Sequence, residues 1–144
     1  MNRTMLFRGK DVKTGEWVYG DLVTTHPLGD TRKFKPHRYI VSILARGGFL
    51  SVGQRNWVDS DTIGQFTGLY DCNHKMIFEG DIIAWKNFKY EIYYDCAQAG
   101  FVKARDGNKE IPNIPTHQAW IDRYHLIVIG NIYDDPDLFR VEKE

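Results

Sequence analysis

Residues 62–83, TIGQFTGLYDCNHKMIFEGDII, do most to constrain the fold open to this chain. Short runs of β-branched, aromatic and aliphatic residues are broken every few positions by turn formers. That pattern makes strands and hairpins, and it leaves no room for a helical repeat. The segment reads as a strand, a tight turn at Asp71-Cys72-Asn73-His74, and a strand over 76–78. A Gly80-Asp81 pair then opens the next strand. Asn73 tolerates the left-handed backbone such a turn demands, and His74 does so less well than glycine. An earlier phrase, EWVYGDLV at 16–23, carries Gly20-Asp21-Leu22-Val23, an echo of Gly80-Asp81-Ile82-Ile83. The echo is either an internal duplication or a shared need. That need would be a glycine that lets the strand bend, then an acid that faces water or caps a neighbouring amide.

The same alternation of apolar runs and turn signals covers the rest of the chain. Strands are expected at 5–8, 16–24, 39–44 and 49–52, with a hairpin turn at Gly47-Gly48. Residues 26–36, with two prolines and four charges, read as a surface loop. Trp57-Val58 pairs briefly before an Asp-Ser-Asp turn. Residues 81–85 and 90–94 form a hairpin around Asn87-Phe88, and 101–104 adds a strand. Residues 111–116 hold two prolines and read as a loop, 117–122 as one helical turn, and 126–133 as the last strand. Asp135-Pro136 suits the start of a short C-terminal helix. The fold expected is mainly β in one domain, 1–144, of about nine or ten short strands with little helix. They form a barrel or strongly bent antiparallel sheets.

A chain of 144 residues buries roughly two-thirds of its unfolded surface, enough for a core without disulfide or metal. Nineteen basic and nineteen acidic residues cancel, so no global field draws the chain to nucleic acid or membrane. Cys72 and Cys96 lie in unrelated contexts, where free thiols suit a cytoplasmic protein and a disulfide only an oxidising compartment. The opening MNRTMLFRGK lacks the apolar stretch of a signal peptide, and no run is long enough to cross a bilayer.

Taken in order, MLFRGK, GEWVYGDL, HRYIV, WVDSDTIGQFTGL, FEGDII and IGNIYDDPDL resemble the YopX family of phage and prophage proteins, over nearly the whole chain. Two positions depart from the family pattern. Asn73-His74 stands where members usually carry Asn-Gly, and Gly9-Lys10 where a tryptophan usually follows the first Phe-Arg. The resemblance implies a β-rich, barrel-like domain encoded by temperate phages, acting in the bacterial cytoplasm. It brings no catalytic residue set.

Candidate chemistry is sparse. Residues 32–38 gather Arg32, Lys33, Phe34, Lys35, His37 and Arg38. These cations could hold phosphates while Phe34 stacks on a base, extended by Arg3, Arg8, Lys10 and Lys13 if the first hairpin lies nearby. The simpler reading is a solvated loop that guards an edge strand. Cys72-x-His74, and His117 with His125, lack the usual zinc spacings, so neither metal nor cofactor is expected. Asp21 and Asp81 could pair as acid and base in a hydrolase-like site, or serve simply at strand entries. Trp85, Tyr90, Tyr93, Tyr94 and Phe101 form an aromatic run. Alternation puts Tyr90, Ile92 and Tyr94 on a core face, and Glu91 and Tyr93 on a mixed one. The expected function is a non-enzymatic binding module that engages a protein partner or self-associates. A nucleic-acid binder using 32–38 is the alternative, and a paired-carboxylate enzyme the third reading.

Overall fold

A computed structural model describes residues 2–26, 35–110 and 113–140. Strand takes 52% of the structure and helix 11%, so the chain is mainly β. Every pairing between described strands is antiparallel. The chain divides into two compact units, 1–65 and 66–144.

In the first unit, β1 (Phe7–Lys10), β2 (Trp17–Thr24), β3 (Arg38–Arg46) and β4 (Phe49–Trp57) lie side by side in chain order. Gly64 and Gln65, which begin β5 (Gly64–Tyr70), pair with the other edge of β1. β4 is longer than the sequence suggests. It runs unbroken through residues 53–57, because a bulge between Ser42 and Ile43 absorbs the register shift. The sheet is bent. The Val12 amide donates to the Trp57 carbonyl (2.9 Å) and the Asp59 amide to the Lys10 carbonyl (2.9 Å), around a single Asp11–Val58 bridge. This short stitch joins the ends of β1 and β4 without a ladder, so the expected barrel is replaced by an open, strongly bent sheet. The core is small: Ile40, Val41 and Val58 are its buried apolar residues.

The second unit holds the rest of β5, which pairs with β6 (Met76–Phe78). Beside them lies a sheet in the order β10 (Ile114–Pro115), β9 (Gly100–Arg105), β8 (Phe88–Asp95), β7 (Asp81–Trp85), β11 (Ile127–Asn131). A short helix, α1 (Gln118–Tyr124), inserts Ile121 into a core of Ile77, Ile83, Ile92 and Leu126. Gln118 fixes the helix by imitating a strand residue. Its amide nitrogen donates to the Tyr70 carbonyl (2.8 Å), and its amide oxygen accepts from the Tyr70 N–H (2.9 Å). The C-terminal helix is a 3-10 turn, Pro136–Phe139. Asp135 stands at its cap position, yet its carboxylate turns back to accept from the Asn131 amide (3.2 Å).

The two Gly-Asp echoes have different jobs. Gly20 lies inside β2, where a Cβ would collide with the Val41 carbonyl oxygen. Gly80 lies in a turn at φ +89°, and a Cβ there would stand 2.9 Å from the Tyr133 ring. The turn residue His74 is also left-handed, at φ 62°. Such a conformation costs a residue with a side chain about 1–2 kcal/mol. His74→Gly is therefore expected to stabilise the protein by up to about 1 kcal/mol in urea unfolding, and Gly80→Ala to destabilise it by more than about 1 kcal/mol. A loss of stability in His74→Gly would contradict this account of the turn.

Candidate functional site

Three surface features stand out, two on the first unit and one on the second. The first is a cleft of about 590 Å³ beside the stitch, lined by Lys10, Asp11, Lys35, His37, Trp57 and Asp59 among others. Asp11 builds its floor. One carboxylate oxygen accepts from the amides of Lys13 (2.8 Å) and Thr14 (3.0 Å), and the other from the Asn56 side-chain amide (2.9 Å). The Asn56 bond, then those of Thr14 and Lys13, hold the Asp11 carboxyl below the usual carboxylate range. His37 meets the Trp57 ring edge-on, with centroids 5.0 Å apart. Thr25 clips the base of the loop, its amide donating to the His37 carbonyl at 2.9 Å.

Of the basic segment, Lys35 and His37 line this cleft with Lys10 of the first hairpin; Arg8 is buried, and neither Arg3 nor Lys13 is a cleft residue. Arg38 begins β3 opposite Thr24 and is not among the cleft residues. Arg32, Lys33 and Phe34 lie outside the described residues. Asp11 and Asp59 share the cleft with its cations, so the local charge is mixed. Asp21 is exposed on β2. Asp81 is 2% exposed and accepts from the Phe78 amide at 2.8 Å, which is the amide-capping role expected at a strand entry. Neither lines the cleft or the groove described below. Among the described residues, no three His, Cys, Asp or Glu side chains cluster closely enough to hold a metal ion. Cys72 and Cys96 are free thiols. His74, His117 and His125 serve as turn and helix-end residues, His125 closing α1 at φ 51°.

The second feature is the β3–β4 arm. Ile43, Leu44, Phe49, Leu50 and Val52 are between half and four-fifths exposed, with Phe49 at 80%. Cross-strand pairing puts Ile43 with Val52 and Ala45 with Leu50 on one face of the arm, while Leu44 and Phe49 alternate onto the other. The first unit thus displays more large apolar side chains than it buries.

The third feature is a groove of about 350 Å³ on the second unit, lined by Trp85, Phe88, Tyr90, Arg105, Trp120 and Tyr124. Register explains it. Tyr90 faces Arg105 across β8 and β9, and Ile92 faces Lys103, so both basic residues lie on the face that α1 covers. Trp120 and Tyr124 are one helical turn apart on α1 and complete the wall. Trp85 stacks with Phe88 (5.7 Å between centroids, 18° between planes), and Tyr90 meets Trp120 edge-on (5.2 Å). Burial holds the Lys103 ammonium below the usual lysine value. It donates to the Pro115 carbonyl (3.1 Å) and lies 4.2 Å from the Trp120 ring. Of the aromatic run expected from the sequence, Trp85 and Tyr90 line the groove and Tyr93, Tyr94 and Phe101 do not; Trp120, Tyr124 and Arg105 join only through tertiary register.

The family described as YopX protein matches residues 6–140, which lie in both units. The chain belongs to the YopX family. The crystal structure of protein EF1440 from Enterococcus faecalis is similar, with a TM-score of 0.62 and 26% sequence identity. The match covers 96% of this chain and 100% of that one. No curated protein matches. The family phrases GQFTGL, FEGDII and IGNIYDDPDL fall on β5, on the Gly80 turn with β7, and on β11 with the 3-10 turn. They are scaffold positions. Among the described residues, no helix is long and apolar enough to cross a membrane.

The cleft gives a pH test. A carboxyl whose folded pKa is lowered stabilises the fold above the ordinary carboxylate range, and that contribution is lost as pH falls through the lowered value. Asp11→Asn either sets a donor against the Asn56 amide or, turned over, abandons Lys13 and Thr14. The expected outcome is a stability gap between native and Asp11→Asn proteins that is full at neutral pH and narrows in acid. Urea titrations across pH measure it, and a gap independent of pH would contradict the role given to Asp11.

Proposed function

We propose that the chain is a non-enzymatic accessory protein of a phage or prophage, active in the host cytoplasm, that works by binding another macromolecule. Its contact element is the β3–β4 arm and its partner a second copy of the chain. The observation that carries this reading is the ladder of exposed apolar side chains along a strand edge. Monomeric proteins rarely leave contiguous apolar surface of this kind uncovered, and they blunt free edges with charge, proline or brevity. Residues 49–54 of β4 carry no charge and no proline, and their one irregularity is the bulge at Gly53.

A second copy fits for two reasons. β4 is the outer strand of its sheet, so two such edges pair antiparallel about a two-fold axis, each face meeting itself. Zero net charge leaves no repulsion for two copies to overcome. The nucleic-acid reading of residues 32–38 has weaker support, because Asp11 and Asp59 share the cleft with Lys35 and His37. The paired-carboxylate reading has less still, since Asp81 is engaged in its own turn.

Sedimentation velocity over a concentration series is the test. The native chain is expected to form dimers, and Leu50→Asp with Val52→Asp to weaken them by about tenfold or more, since charge at the centre of an apolar contact is costly. Both side chains are solvated, so the variant keeps its circular dichroism spectrum. A native chain that stays monomeric to its solubility limit overturns the reading.

A further inference from the structure

We propose that the groove on the second unit binds a nucleobase together with its attached phosphate. None of its six lining residues belongs to the β3–β4 arm or to the basic segment 32–38.

Four of its aromatic rings each carry a cation. Lys86 lies 4.8 Å from the centre of the Trp85 ring and Arg105 lies 4.4 Å from that of Phe88. Lys103 lies 4.2 Å from Trp120, and Arg123 lies 5.7 Å from Tyr124. An aromatic surface rimmed by basic groups meets both halves of a nucleotide, the flat π-face of the base and the charge of the phosphate. A purely apolar ligand would have no use for the cations, and a simple anion none for the rings. The volume, about 350 Å³, lies near the lower end of the roughly 300–1,000 Å³ usual for small-ligand sites, which suits one base with its sugar-phosphate.

Arg105 is the cation that lines the groove, while Lys103 beside Trp120 is held by the Pro115 carbonyl. None of the six lining residues is acidic. Asp106 approaches Arg105 at 3.7 Å, but both side chains are more than half exposed, and such pairs are weak. Asp122 of α1 accepts instead from Gln118 (2.8 Å). The walls are preformed. Trp85, Tyr90, Trp120 and Tyr124 all pack their inner sides on the Ile77–Ile83–Ile92–Ile121–Leu126 core, so a base meets rigid rings. Stacking a base displaces a cation from the ring face, a weak contact where solvent is near, and frees it for the phosphate.

The chemistry is shared by a free nucleotide and by single-stranded nucleic acid, and the test separates the two. The full-length protein is titrated with fluorescent single-stranded oligonucleotides and an equivalent duplex over a salt series, with nucleoside monophosphates as competitors. Binding to the single strand that weakens with salt, and that falls at least about tenfold in Arg105→Glu, is expected. Arg105 is exposed, so this variant tests the groove even if Trp120→Ala fails to fold; Lys35→Glu is expected to bind as the native chain does. Competition by monophosphates at comparable concentration would identify a nucleotide site, and its absence a strand site. No binding at low salt overturns the proposal, as does equal affinity for duplex or for inorganic polyphosphate. Binding unchanged in Arg105→Glu also overturns it.

Discussion

The structure depends on aspartate carboxylates that take up main-chain amides at the mouths of turns. A chain of short antiparallel strands has little within each strand to fix its length or register, so alignment must be imposed where strands meet. Asp11 gathers the amides of Lys13 and Thr14 and the side chain of Asn56, and so sets the stitch that bends the first sheet. Asp71 does the same in the second unit. One oxygen accepts from the Asn73 and Lys75 amides, both at 2.9 Å, and the other reaches Val128 of β11 at 3.0 Å. Asp81 closes the Gly80 turn on the Phe78 amide. All three are buried, where an ionised carboxylate is tolerable only if donors replace its water.

This arrangement explains which parts of the fold were legible in the sequence. Turn chemistry is local, so the turns at Gly47-Gly48 and Asn73-His74 and the short terminal helix stand where the residues alone place them. The β4 strand does not: the extra residue of its bulge is Gly53, which pairs with nothing on β3 between Val52 and Gln54 and reads in the sequence as a strand end, while β4 runs on to Trp57. Alternation also misleads on β8. It suggests one core face and one mixed face, yet both are covered. Ile92 packs under α1, while on the other face the Tyr93 hydroxyl accepts from Asn113 (2.8 Å) and Lys89 donates to the Leu138 carbonyl (2.6 Å). The polar stripe of Lys89, Glu91 and Asp95 is present in the sequence, but its members are engaged by the Leu138 carbonyl, Lys109 and Gln98, so a polar face need not be a solvent face.

The two units manage apolar surface in opposite ways. The second buries its aliphatic residues under α1 and uses aromatic rings as the outer wall of the core. The first has the buried trio Ile40, Val41 and Val58, and exposes Ile43, Leu44, Phe49, Leu50 and Val52 along β3 and β4. A strand kept long, apolar and at an edge runs against the usual defence against aggregation, and that defence is given up where pairing is the purpose.

Family membership and function part company at the residues themselves. The phrases that mark the family encode the turns, with Gly80 against Tyr133 and the Asn131–Asp134–Asp135 hydrogen bonds that lock β11 to the C-terminal turn. None of the six groove residues falls within those phrases. The resemblance therefore speaks for the frame on which α1 and the β7–β8 hairpin are mounted, and it says nothing of the ligand. What the groove holds follows from Arg105 of β9 and the α1 pair Trp120 and Tyr124, which meet because Gln118 pins the helix to β5. A site assembled by register on a family scaffold can change its chemistry without disturbing a single phrase by which the family is known.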